Sequence, residues 1–177
     1  CLLPAACCLL PAAYCLLPTA YCLLPTARRL PPATCLLLLY NRSMYSVTKR
    51  IDFCYGHRLL DYGGICKHPH GHNAVAEIEV RTEVLDPRNM VCDFSDIKRI
   101  VKGWIDAELD HKMILRRDDP LVAPLQALGE PMFLVDSNPT VELIARLIFT
   151  HASEQGLHVV KVRVWETPTS CATYLGE

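Results

Sequence analysis

The chain has 177 residues, of which 51% are hydrophobic and 21% charged, with a formal net charge of −1. These values exclude a disordered polyelectrolyte, a polybasic nucleic-acid binder and a collagen-like fibre. The averages conceal a seam. Residues 1–43 hold six of the ten Cys and six of the thirteen Pro, with no acid, His or Gly. Residues 44–177 hold all seven His, and 15 basic against 19 acidic side chains give them a net charge of −4.

The first segment is a repeat. CLLPAAC, CLLPAAY, CLLPTAY and CLLPTAR succeed one another from Cys1 to Arg28, and a degenerate copy, RLPPATCLLLLY, follows. Each unit carries a proline (Pro4, Pro11, Pro18, Pro25), and proline inside a helix costs roughly 3 kcal/mol. The heptad therefore forms neither a coiled coil nor a transmembrane helix. No basic stretch precedes a single apolar core, so it does not read as a signal peptide. Its cysteines sit in near-identical repeats without the turn chemistry of a disulfide framework. Residues 1–43 are expected to be a disordered low-complexity extension, consistent with an upstream tandem repeat read in frame before a natural start at Met44. Function is sought in residues 44–177.

There, Tyr45–Phe53 reads as a first strand. From Ala76 the pattern alternates, with Ala76, Ile78, Val80, Thr82 and Val84 on one face and Glu77, Glu79, Arg81 and Glu83 on the other. This is the period-2 signature of a half-buried, typically antiparallel strand. Asp86-Pro87 should end it. Ile97, Ile100, Val101, Trp104 and Ile105 recur at helical spacing, with Asp93 or Ser95 as the cap. A second helix is expected to enter through Asn138-Pro139, cap then first-turn proline, with Val141, Ile144, Ala145 and Ile148 on one stripe. Val160, Val162 and Val164 alternate next, and a short strand near Ala172–Leu175 follows. The order is β-β-α-α-β-β, an α+β layer with two helices on one sheet face. Arg116–Ser137 reads as a long connection.

The densest chemical signal is Cys66-Lys67-His68-Pro69-His70-Gly71-His72. Neutral imidazoles are the commonest metal ligands, and residues two apart on an extended chain share a face. His70 and His72 can thus converge on one ion, whereas His68 and His72 lie roughly 13 Å apart at about 3.3 Å per residue. A third ligand must come from elsewhere: His57 or His111. Three protein ligands leave a fourth position open, the catalytic form of zinc site. The bland alternative is a surface loop rich in histidine. Cys66, near metal and imidazole, is placed to act as base or nucleophile; Cys54, Cys92 and Cys171 show no comparable neighbours. Asp110-His111 pairs a carboxylate with an imidazole, which needs a turn to bring them face to face; otherwise His111 merely caps a helix C-terminus. Glu166 continues the parity of Val160, Val162 and Val164 onto the apolar face, where a carboxylate needs donors, unless the strand stops at Trp165. Four cysteines without a secretory signal fit a reducing cytoplasm.

FCYGHRLLDYGGICKHPHGHN (53–73), CDFSDIKRIVKGWIDAELDHKMI, NPTVELIARLIF and VWETPTSCATYLGE together resemble the 6-pyruvoyl/6-carboxytetrahydropterin synthase family across residues 44–177. The resemblance implies the tunnelling fold, with four-stranded antiparallel sheets joined into barrels. It also implies a homohexamer of two stacked trimers with active sites between subunits. By motif position, His57, His70 and His72 would bind Zn2+. Cys66 would be the catalytic proton acceptor, Asp110 and His111 its relay, and Glu166 the anchor of the pterin ring. The short C-x-x-x-H-G-H spacing resembles the bacterial 6-carboxytetrahydropterin synthases of queuosine biosynthesis. Those convert 7,8-dihydroneopterin triphosphate with loss of acetaldehyde and triphosphate; the pyruvoyl enzymes release triphosphate alone. The alternatives are the pyruvoyl reaction, releasing triphosphate only, and a non-catalytic zinc- and pterin-binding module. No nucleic-acid or membrane partner is expected. His68 and the long connection depart from the family pattern, and Arg58, Lys67 and Arg88 are undifferentiated triphosphate contacts.

Overall fold

The computed structural model describes residues 44–176; residues 1–43, and the expectation placed on them, lie outside the described residues. Strands β1 (Tyr45–His57) and β2 (His70–Thr82) form one long antiparallel hairpin, in register from Tyr45 opposite Thr82 to His57 opposite His70. A run of helix follows: Phe94–Ile97, a wider π-type turn Lys98–Lys102, and Gly103–Glu108, together α1. Next come β3 (Lys112–Arg116), α2 (Val122–Ala127), β4 (Met132–Val135), α3 (Val141–Glu154), β5 (Val159–Thr167) and β6 (Ser170–Tyr174). They build a six-stranded sheet of order β4-β3-β1-β2-β5-β6.

The period-2 pattern sorts the hairpin into two faces. Ile51, Phe53, Tyr55, Ala74, Ala76, Ile78 and Val80 are buried on one, where α1 and α3 cover them; Val162 and Val164 of β5 join the same core. Ile97, Val101, Ile105 and Leu109 of the α1 segment are fully buried. Four-residue spacing drifts about 40° per step on a 3.6-residue helix, and the wider turn at 98–102 offsets that drift, keeping the row against the sheet. On α3, Ile144, Ala145 and Ile148 are buried as their spacing predicts, together with Ala152. The sheet's other face is charged: Arg163 meets Glu77, while Arg81 and Lys161 both meet the buried carboxylate of Glu79. Those two donors, Lys161 foremost, hold the Glu79 carboxyl below its usual range.

Two expectations need correction. The sheet has six strands rather than four, and it is mixed. β3 and β4, in and beside the presumed connection 116–137, run parallel to β1 and to each other. Parallel strands lack clean alternation, because both faces are covered, and KMILR and MFLV are too short to announce themselves. The second helix is capped by Thr140, whose Oγ1 accepts from Leu143 N–H, and not by Asn138. Asn138 instead uses its amide on the backbone of Leu60, accepting from the N–H at 2.9 Å and donating to the carbonyl at 2.8 Å. A cap two residues later leaves the Asn138 amide free to hold the segment that links β1 to β2, and the Pro139 carbonyl free to meet His57.

Candidate metal centre and active site

The hairpin register decides the site. Opposing His57 to His70 and Tyr55 to His72 puts three imidazoles and a phenol on the same face at one end of the sheet. A one-residue slip would send two of the rings to the opposite face. Glycine between the two histidines of β2 is required for close approach, since a Cβ at Gly71 would lie 3.0 Å from the Tyr55 carbonyl oxygen. The linking segment is tied down on three sides. Leu59 N–H donates to the Cys66 carbonyl at 2.9 Å, Asn138 clamps Leu60, and Arg58 forms a two-pronged pair with buried Asp119, its Nε donating at 2.7 Å. Burial opposes ionisation of Asp119, but the Arg58 guanidinium and the Leu121 N–H outweigh it and hold that carboxyl below the usual range.

His57 Nε2 lies 3.1 Å from His70 Nε2 and 3.2 Å from His72 Nε2. The outer nitrogens settle the tautomers. His57 Nδ1 is 2.7 Å from the Pro139 carbonyl and His70 Nδ1 is 2.8 Å from the His68 carbonyl. A carbonyl only accepts, so both Nδ1 atoms carry hydrogen and both Nε2 atoms present lone pairs to one another. Burial pushes the His57 imidazole below its ordinary value, favouring the neutral form. Facing lone pairs repel unless a cation lies between them, and backbone carbonyls on the far nitrogens are the usual support of histidine metal ligands. The donor set therefore fits a borderline divalent ion such as zinc. Of the two third ligands the spacing left open, His57 joins His70 and His72. His68 is left outside, contributing its carbonyl.

Glu166 faces the same centre. β5 runs past Trp165, so the carboxylate keeps the parity of Val162 and Val164; its Oε1 accepts from the Tyr55 hydroxyl at 2.6 Å and sits 3.8 Å from Nε2 of both His57 and His72. Burial, and then the Glu166 carboxylate, raise the Tyr55 phenol far above its ordinary range, so it remains a donor. Tyr55 was legible in the pattern, since it shares parity with His57 two residues on.

Asp110 and His111 meet as a turn requires. His111 adopts φ 57°, and its Nδ1 is 2.9 Å from Asp110 Oδ2. Asp110 is also bonded by the Cys54 N–H at 2.8 Å, and His111 N–H donates to the Cys54 carbonyl at 2.8 Å. Burial works against the Asp110 charge, but the Cys54 N–H and His111 prevail and hold it below the usual carboxylate range. The expectation that Cys54 has no chemical neighbours is thus wrong: Cys54, Asp110 and His111 form a second cluster with ligand atoms within 4.8 Å of one another. Its members are 56 residues apart in sequence, and only the β1–β3 pairing brings them together. Cys66 lies in the short turn Ile65–Lys67, partly buried, and belongs to neither cluster. Arg58, bound to Asp119, is not free for an anion.

An open fold of this kind, helices on one face of a curled sheet and a histidine cluster at its end, is a tunnelling fold. The chain belongs to the 6-pyruvoyl tetrahydropterin synthase family, whose model matches residues 46–177. It is 35% identical to a 6-carboxy-5,6,7,8-tetrahydropterin synthase of Rickettsia bellii over 132 residues, 71% of this chain and 96% of that protein. With the enzyme of the same name from Haemophilus influenzae it shares 34% over 139 residues, 74% of this chain and 99% of that one. Among solved structures, an uncharacterized protein from Wolinella succinogenes superposes with a TM-score of 0.64 at 28% identity, covering 76% of this chain and 99% of that chain. Caenorhabditis elegans 6-pyruvoyl tetrahydropterin synthase superposes at 0.58 and 24% identity, over 77% and 98%, a likeness of fold. No helix among the described residues is long and apolar enough to cross a membrane.

Proposed function

We propose that this chain is a zinc-dependent lyase that converts 7,8-dihydroneopterin triphosphate and one water to 6-carboxy-5,6,7,8-tetrahydropterin, releasing acetaldehyde and triphosphate, as a cytoplasmic step of queuosine-type biosynthesis. The observation that carries the reading is the convergence of three Nε2 atoms, that of His57 lying 3.1 Å from His70 and 3.2 Å from His72, backed by carbonyls on the far nitrogens of His57 and His70. The relatives named 6-carboxy-5,6,7,8-tetrahydropterin synthase favour the carboxy product over the pyruvoyl one.

In this reading His57, His70 and His72 hold the ion, which would supply Lewis acidity toward the substrate's side-chain oxygens. Glu166 orients the pterin. Its Oε1 is engaged by Tyr55, and Oε2 accepts from the N–H groups of the ring. Cys66 removes a proton from the side-chain carbon, and Asp110–His111 carries that proton onward: Asp110 fixes the His111 tautomer and leaves Nε2 outward. The His111 side chain is 80% exposed, and Cys66 is in a different part of the same chain. That separation favours an oligomer, a homohexamer of two trimers, in which the relay of one subunit serves the Cys66 of another.

Turnover of the pterin triphosphate by zinc-loaded protein, following acetaldehyde, triphosphate and the pterin product, tests the proposal. Equimolar acetaldehyde and triphosphate is the expected result. Triphosphate without acetaldehyde would assign the pyruvoyl reaction, and binding without either product would leave a pterin-binding module.

A further inference from the structure

We infer that Cys54, Asp110 and His111 form a second divalent-cation site, on the opposite face of β1 from the histidine centre, and that an ion there takes the Asp110–His111 pair out of service. The inhibitory consequence rests on the relay reading above; the site does not.

The argument begins with parity. Tyr55 and His57 point to the helix-covered face, so Cys54 and Gly56 point to the other. They border a cleft of about 700 Å³ that Asn73, His111 and Met113 line together with Tyr55, His70 and His72 of the other parity. One thiol, one carboxylate and one imidazole converge at its edge, the three chemistries that zinc-like ions take together. Tetrahedral zinc, with bonds of about 2.0–2.3 Å, holds its ligand atoms roughly 3.3–3.8 Å apart. The present separations, none above 4.8 Å, need a contraction of at most about one ångström to reach the upper end of that range. The scaffold provides for that. The backbones of 54 and 110–111 are locked by two hydrogen bonds, Cys54 N–H to Asp110 Oδ1 and His111 N–H to the Cys54 carbonyl. The exposed His111 ring is held by a single contact, Nδ1 to Asp110 Oδ2, and can turn about it toward the thiol. Binding forms a metal–sulfur bond as the thiol proton passes to solvent, so the site fills preferentially with thiophilic ions. Filling it removes His111 from proton transfer. The site is an inhibitory partner to a centre that uses nitrogen donors alone.

Cobalt(II) reports on the difference, since thiolate ligation produces a near-ultraviolet charge-transfer band that a three-imidazole centre lacks. The full chain is titrated with cobalt(II) alone. The thiols of residues 1–43 contribute a background shared by every variant, so the measured quantity is the difference from wild type. Cys54→Ser should lose one bound equivalent and its share of the charge-transfer intensity, while keeping the equivalent held by His57, His70 and His72. His111→Asn should weaken the same equivalent by about tenfold or more, and Cys66→Ser should keep it. Equal stoichiometry and equal band intensity in wild type and Cys54→Ser overturn the site. Relief of excess-zinc inhibition in Cys54→Ser supports the whole inference. A band lost in that variant while wild-type turnover ignores excess zinc upholds the site and overturns the relay assignment.

Discussion

A single strand carries two unlike clusters. On the helix-covered face of β1, His57 meets His70 and His72 in a half-dry corner where the outer nitrogens of His57 and His70 are bound to backbone carbonyls. Three residues earlier and on the opposite parity, Cys54 meets Asp110 and His111 on the open face, where the imidazole is exposed and its carboxylate partner is anchored by main-chain N–H. The difference is one of solvent. Burial favours the neutral form of His57 at the heart of the first group, whereas the His111 side chain of the second is open to solvent. Period-2 geometry allows five residues of one strand, 53–57, to serve both.

The largest effect should come from breaking the buried side. His72→Ala should weaken zinc by more than about 100-fold, beyond the 10–100-fold loss typical of changing a ligand's support, and turnover should fall with it. Cys66→Ala should retain the metal and lose turnover; metal analysis of both variants separates ligand from base, and equal metal loss would refute the division. Next is the anchor of the linking segment. Arg58→Met strands the fully buried Asp119 carboxylate and should cost about 3–5 kcal/mol in denaturant unfolding, loosening the histidine centre while leaving the Asp110–His111 pair in place. The pH dependence of that anchor follows from Asp119. Its folded pKa is lowered, so its stabilisation is fully present above the unfolded carboxylate value of about 3.9 and disappears as pH falls through the lower folded value. Wild type and Asp119→Asn should therefore differ by a constant amount near neutrality and converge only in acid.

Smaller effects fall on the ligand side of the buried centre. Glu166→Gln removes a charged acceptor worth about 1.5–3 kcal/mol and should raise KM for the pterin by roughly 10- to 150-fold with zinc content unchanged. Tyr55→Phe deletes only the hydroxyl that orients Glu166, so a KM increase below about tenfold is expected. A change as large as that of Glu166→Gln would mean that Tyr55 itself touches substrate. Cys54→Ser, on the open face, should alter turnover by less than about twofold when no excess metal is present.

Much of the site was written in local spacing. His70 and His72 share a face because they are two apart on a strand; Glu166 was placed by the parity of Val162 and Val164, while a register shift opposite Val80 buries Val159 in place of the expected Val160; the Asp110–His111 pair demanded a turn, and His111 supplies it at positive φ. Thr140 rather than Asn138 as helix cap, by contrast, is settled by a competitor across the fold, the Leu60 backbone that claims the Asn138 amide.

The sequence by itself determined the α+β layering, the core face of each long element and the residue types of the centre, because alternation and helical spacing are properties of the chain next to itself. The tertiary structure alone decided that His57 and not His111 completes the three imidazoles, that Cys54 has neighbours, and that six strands replace four. Each of those depends on which strands lie side by side and in what register, and such pairings join residues too far apart for any local pattern to record.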